Sequence, residues 1–200
     1  MTTSPPHFRG PLTLLNSMIL GFDLDGVILD HTGLKIALAK NLGFDLTPEH
    51  TPSEIIKKML PEEHLVSLQH SLYYDPETCA ATFVMRGAEM FFAELCKKNI
   101  PYYLISRRRV PETAISVLQE KGLWPQYFNE SNTFFVTTPE EKNDCAKKLG
   151  VTHYLDDEPK VLTVLADVSH RFLLDQHGVL PASSAYTTVR SLQEFQKYIA

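Results

Sequence analysis

Five short apolar runs of strand length punctuate the chain, at residues 18–22, 102–105, 133–136, 152–155 and 171–174. Between most of them the hydrophobic positions recur with helical period, over 86–98, 111–121 and 139–149. Pro111 and Pro139 sit where a first helical turn tolerates proline, and Gly122 and Gly150 fall where helices commonly stop. Strands alternating with helices imply right-handed crossovers, so the pattern predicts an α/β fold, a three-layer Rossmann-like parallel sheet. In such a sheet the ligand site lies at the carboxyl ends of the strands.

The rhythm changes between His31 and Phe83. Here 34–42, 52–60 and 61–72 are helical in period, and no strand is expected among them. Residues 1–30 and 84–200 are therefore expected to form the core, with 31–83 a small helical cap inserted after the first strand's loop. An insertion at that place lies over the site and can close on substrate, excluding water. Before about Leu12, Pro5 and Pro6 and a lack of periodic hydrophobicity predict a loose leader. Met85, Met90, Phe91 and Phe92, on or beside the helix that precedes the second strand, are expected in the core.

Composition narrows the partners. A formal charge of −5 over 200 residues provides no basic field for a nucleic-acid polymer or an anionic membrane, so affinity for phosphate has to be built locally. Three widely spaced cysteines without a C-x-x-C pair fit reduced thiols in a cytoplasmic protein, and no export signal or spanning segment is expected. The eight histidines show no zinc spacing.

Candidate chemistry begins just past the first apolar run, at Asp23-Leu24-Asp25-Gly26. Residues two apart in a strand project to one side, so Asp23 and Asp25 can converge before Gly26 allows the chain to turn. Neighbouring carboxylates repel unless a shared proton or a hard cation such as Mg²⁺ neutralises them. Further polar residues end the later runs. Ser106 closes the second, and its hydroxyl with nearby N–H groups can hold a phosphate oxygen. Lys142, unlike Lys147 and Lys148, lies at a helix start facing the strand ends, where its ammonium can neutralise a nucleophile and a phosphoryl group together. Asp156-Asp157 ends the fourth run and can complete an oxygen-rich cation pocket. Arg107, Arg108 and Arg109 follow Ser106, and Arg107 is the one most expected to reach a substrate anion.

Taken in order, Asp23-Leu24-Asp25-Gly26-Val27-Ile28, Leu104-Ile105-Ser106-Arg107, Lys142 and Tyr154-Leu155-Asp156-Asp157 resemble the four motifs of the haloacid-dehalogenase-like (HAD) hydrolase superfamily. The resemblance spans nearly the whole chain and implies a phosphatase. Asp23 is then the nucleophile that forms an aspartyl-phosphate, and Asp25 the acid and base. Ser106 and Lys142 complete the catalytic set, with Gly26, Ser106, Arg107 and Lys142 binding a small phosphate monoester. Mg²⁺ is implied on Asp23, the Asp25 carbonyl and Asp156, with Asp157 as ligand or support. The dehalogenase branch, which lacks an acid at the position of Asp25, is the poorer match. Phosphomutase chemistry uses the same acids, and a non-catalytic binding or regulatory protein on this fold is the alternative from another class. All of these readings require Asp23 and Asp156, more than a hundred positions apart, to meet.

Overall fold

The computed structural model describes residues 18–199, so the expected leader lies outside the described residues. The chain runs β1 (Leu20–Phe22), β2 (Leu29–Asp30), α1 (Thr32–Asn41), a short 3-10 turn (Pro48–His50), α2 (Ser53–Met59), α3 (Glu62–Tyr74), α4 (Pro76–Ala80) and β3 (Phe83–Val84). It continues through α5 (Ala88–Lys97), β4 (Tyr102–Ser106), α6 (Pro111–Glu120), β5 (Thr133–Phe135), α7 (Pro139–Lys148) and β6 (His153–Asp156). The last elements are α8 (Pro159–Val164), β7 (His170–Leu174), β8 (Thr187–Val189), α9 (Leu192–Phe195) and a final 3-10 turn.

Six strands form one sheet in the order β5-β4-β1-β6-β7-β8, every neighbouring pair parallel. This is the expected α/β Rossmann-like core. All of β1 is buried, as its place between β4 and β6 requires, and Gly21 is fixed by a close approach. A Cβ there would stand 2.4 Å from the Tyr154 ring. On one side of the sheet Phe22 packs edge-on against Phe91, Phe92 and Phe195. A second cluster, around Ile105, Tyr154 and Leu173, fills against α7 and α8.

The structure departs from the sequence pattern in four places. A two-stranded antiparallel pair, β2 with β3, brackets the helical stretch, and Phe83 lies in it although no strand was expected within 31–83. β8 pairs with β7 in a segment that carries no apolar run, only Thr187-Thr188-Val189. The short helices α4, α8 and α9 also went unread, being four to six residues long and too brief to show a period. Met90 is 77% exposed rather than in the core; Phe91, Phe92 and Met85 are buried, so α5 presents its neighbouring positions inward and Met90 outward.

Between β2 and β3, α1, α2 and α3 pack on one another around Ala39, Leu46, Ile56, Leu60 and Leu68, a cluster separate from those of the sheet, while α4 packs on α3 and α6 and its Cys79 joins the main core. Among the described residues no helix is long and apolar enough to cross a membrane.

Candidate active site at the carboxyl ends of the strands

Three of the parallel strands end in polar residues that point at one another. Asp23 follows β1, its N–H held by the Leu155 carbonyl at 3.0 Å. Asp156 is the last residue of β6, and its Oδ1 accepts from the Glu158 N–H at 2.9 Å, which turns the chain back at once. Lys142 arrives from α7. That helix starts at Thr138, whose side chain accepts from the Glu141 N–H at 3.1 Å, with Pro139 in the first turn. Its inward face carries only Lys142 and Ala146, one turn apart.

The Lys142 ammonium donates to Asp23 Oδ1 at 2.6 Å and to Asp156 Oδ2 at 2.9 Å. Its nitrogen lies 5.5 Å from the centre of the Tyr154 ring, and the Tyr154 hydroxyl is anchored on the Ile105 carbonyl at 2.8 Å. Asp23 and Asp156 thus meet although 133 positions separate them in sequence. Asp157 joins them: one carboxylate oxygen from each of Asp23, Asp156 and Asp157 fits within a 4.8 Å cluster.

One ammonium among three acids, Asp23 and Asp156 buried and Asp157 partly so, leaves negative charge in excess. Burial, against the pull of Lys142 and with the push of Asp156 and Asp25, raises the Asp23 carboxyl to about 6. Asp156 is raised by burial in the same way, with Lys142 opposing, and Asp157 is raised well above the carboxylate range by burial and by Glu158, Asp156 and Asp23. Three hard oxygen donors short of positive charge make a donor set suited to Mg²⁺, with no nitrogen or sulfur to favour a softer metal.

Gly26 is constrained twice over. Its φ is +80°, and a Cβ would stand 2.3 Å from Asp157 Oδ2, so a side chain here would collide with the acid cluster. The turn at Gly26 carries the chain from Asp25 toward β2, with the Gly26 N–H donating to the Leu29 carbonyl at 2.8 Å.

Asp25 faces a different environment. Arg108 grips its carboxylate with both arms of the guanidinium, Nε to Oδ2 and Nη2 to Oδ1, each at 2.7 Å, and His31 Nε2 donates to Oδ1 at 2.6 Å. Burial alone would raise the Asp25 carboxyl, but Arg108 and His31 overcome it and hold the group far below the ordinary carboxylate range. Burial also lowers His31, so it is neutral near pH 7 with its proton on Nε2, toward the carboxylate. Arg108 reaches beyond the core as well. Its Nη1 donates to the Tyr73 carbonyl at 3.1 Å and its guanidinium carbon lies 4.6 Å from the centre of the Tyr73 ring, which ties Asp25 to α3.

Ser106 is 1% exposed at the end of β4, and its hydroxyl has no hydrogen-bond partner among the described residues. Arg107 is paired with Glu158. The arginine that binds Asp25 is Arg108, while Arg107, the one expected to reach a substrate anion, lines the adjoining cavity. Arg109 is exposed.

A cavity of about 600 Å³ joins these groups. Asp23, Asp25, Gly26, Ser106, Arg107 and Asp157 line it from the core. Lys35, Lys57, Leu65, Gln69, Tyr73 and Tyr74 line it from the helices between β2 and β3. His31, Lys35, Tyr73 and Arg108 went unassigned in the sequence reading. The repeated arginines were the one visible signal among them.

No protein-family model matches the chain, and no curated protein matches it. Its similarity is to solved structures. A HAD family hydrolase from Deinococcus radiodurans R1, solved with bound phosphate and sodium, superimposes with a TM-score of 0.62 at 14% identity, over 92% of this chain and 95% of that one. A protein described as a predicted phosphatase, from Clostridium acetobutylicum, gives 0.61 at 13% identity over 92% and 98%. A putative beta-phosphoglucomutase from Thermotoga maritima gives 0.60 at 17% identity over 92% and 100%. The chain has the HAD-like fold.

Proposed function

We propose that the protein is a Mg²⁺-dependent phosphatase that hydrolyses a small phosphate monoester at the Asp23 end of the cavity. The observation that carries this reading is the meeting of Asp23, Asp156 and Asp157, the first two joined by Lys142, in a cavity also lined by Ser106, whose hydroxyl has no partner among the described residues. A buried hydroxyl without a partner is costly unless a ligand completes it, and a phosphoryl oxygen would accept from it.

In this mechanism a carboxylate oxygen of Asp23 attacks phosphorus, the bond from phosphorus to the leaving oxygen breaks, and an aspartyl-phosphate forms. Water then attacks the same phosphorus, releasing phosphate and restoring the carboxylate. Lys142 keeps Asp23 aimed and offsets charge on the phosphoryl group, while Ser106 orients one of its oxygens. The carboxylates of Asp23, Asp156 and Asp157 and the Asp25 carbonyl are the groups that would hold Mg²⁺, which supplies charge neutralisation at the phosphoryl oxygens. The Asp25 side chain, so strongly held as an anion, is a weak base while clamped, and to accept a proton from the attacking water it must loosen from Arg108. To donate a proton to the leaving oxygen it must first give up hydrogen bonds from Arg108.

Residues 31–83 act as the cap in this proposal, since one wall of the cavity belongs to them. The reading places the protein in the cytoplasm with a small molecule, not a nucleic-acid polymer or a membrane, as its partner. Its test is phosphate release from a panel of phosphorylated metabolites with Mg²⁺ and with chelator. Activity should require the metal and vanish in Asp23→Asn, because an amide cannot form the acyl phosphate; activity that survives this substitution would refute the nucleophile. Some structures of this fold are described as putative beta-phosphoglucomutases, and transfer to a second hydroxyl uses the same acids. Release of free phosphate in step with substrate loss separates hydrolysis from that transfer.

A further inference from the structure

Lys35, on α1, is 8% exposed, and its ammonium makes a single hydrogen bond, to the Thr51 carbonyl at 3.0 Å. Among the described residues no carboxylate oxygen pairs with it. An ammonium carries three donors, and a buried cation without a counter-ion is costly to keep. The same Lys35 lines the cavity that holds Asp23 and Ser106.

The other cations on that wall are largely committed. Lys57 pairs with Glu54, Arg107 with Glu158 and Arg108 with Asp25. Lys35 is the buried one without an ion pair among the described residues, although its charge acts on Asp157 nearby; Arg109 and Lys160, exposed and also lining the cavity, have no ion pair among the described residues either. Leu65, Tyr73 and Tyr74 supply apolar wall beside them. A volume of about 600 Å³ falls in the range of small-molecule sites and far exceeds what a phosphoryl group alone needs.

We propose that the substrate carries, besides the phosphoryl group to be hydrolysed, a second anionic group, carboxylate or phosphate, that is received by Lys35. This rests on the phosphatase reading above and specifies its substrate class. The second anion satisfies the two idle donors of a buried ammonium, and it does so from the helical insertion, while Asp23 and Ser106 engage the other end of the molecule. An ester without that anion leaves Lys35 desolvated and unpaired, which is how a polar pocket discriminates most strongly.

The test uses the full chain with Mg²⁺ and three alkyl phosphates of equal length, ending in a methyl group, a carboxylate or a second phosphate. At least one anion-ended ester should exceed the methyl-ended one in kcat/KM by about tenfold or more, chiefly through KM, and the two anionic arms identify the group. Lys35→Met should shrink that gap to within about threefold, whereas Lys35→Arg, which keeps a cation, should retain most of it. The wild-type comparison stands even if Lys35→Met fails to fold. Equal efficiency on all three esters overturns the second-anion subsite and leaves the phosphatase reading intact. A Lys35→Met variant that loses kcat alike on all three overturns it too, since Lys35 then serves only the charge balance of the acid cluster. Hydrolysis of none of them by folded, Mg²⁺-loaded protein removes both proposals together.

Discussion

Asp23 and Asp25 are two positions apart on one loop, yet their surroundings drive them in opposite directions. Asp23 shares one ammonium with Asp156 and stands beside Asp157, so positive charge is scarce and its carboxyl rises to about 6. Asp25 has a two-armed guanidinium and an imidazole to itself and is held firmly as an anion. Backbone position cannot explain the difference, since both sit at the mouth of the same strand. The donors brought by other elements explain it: α7 supplies one cation for three acids, while the loop after β4 and the start of the helical insertion supply two donors for one acid. The first arrangement is left open to a further cation, and the second is closed on itself.

The widest expected effect comes from abolishing the open side of that contrast. Asp23→Asn should lower phosphate release by about 10³-fold or more, because the nucleophile is lost and not merely reoriented. Asp25→Asn should be slower than wild type but still capable of forming the phosphoenzyme with an activated aryl ester. A quench experiment that traps labelled phosphate on Asp25→Asn and not on Asp23→Asn would establish the division of labour. Equal trapping on both would erase it.

Lys142→Met comes next. Removing one partner of a buried charged cluster leaves acids uncompensated, at a cost of about 3–5 kcal/mol. The loss should show in urea unfolding of metal-free protein and should shrink when Mg²⁺ is added, since the metal takes over the neutralising role. A loss that Mg²⁺ does not reduce would mean that the acid cluster is not a cation site.

Arg108→Met breaks the closed side. It leaves Asp25 with His31 alone and removes the link to the Tyr73 carbonyl, for an expected loss of about 2–4 kcal/mol. Arg108→Lys should recover little, because a lysine offers a point charge where two carboxylate oxygens and a carbonyl are spanned by one planar fork. A lysine variant as stable as wild type would show that only charge matters at this position.

The acids of the open cluster were readable from sequence because they follow apolar runs, and a run of strand length reports where the chain emerges from the sheet. Asp23, Ser106 and Asp156 were legible for that reason, and Lys142 from the proline-marked start of α7. The closed cluster was not. Which of Arg107, Arg108 and Arg109 turns inward depends on the loop after β4, and a row of identical residues has no pattern from which to read direction. His31, Lys35 and Tyr73 gain their roles from how the insertion docks on the core, a long-range fact that local periodicity does not encode. The same limit hid β8, whose Thr-Thr-Val is held by pairing with β7 rather than by apolar character of its own.

The smallest effect, and the most direct measure of the contrast, is in pH. A carboxyl raised in the folded state contributes stability that is fully present below its unfolded value near 3.8 and is lost as pH rises through the folded value of about 6. Asp23 in metal-free protein therefore favours the folded state in acid and opposes it at neutral pH. Asp25 has the opposite sign: its contribution is present above 3.8 and is lost only as pH falls well below it. In the proposed site Mg²⁺ competes with the protons on Asp23 and on the likewise raised Asp156 and Asp157, so its apparent affinity should fall as pH drops through about 6, by about tenfold per unit for each proton displaced, roughly 1.4 kcal/mol each. The rise in melting temperature on adding Mg²⁺ should accordingly be larger at pH 7.5 than at pH 5. The break near pH 6 should survive in Arg108→Met, where the metal-facing acids are untouched, and move in Lys142→Met. With their cation gone, Asp23 and Asp156 hold their protons to higher pH, so the break shifts upward. A downward shift there would mean that Lys142 does not stabilise the ionised form of Asp23, and the open cluster would have to be explained without it.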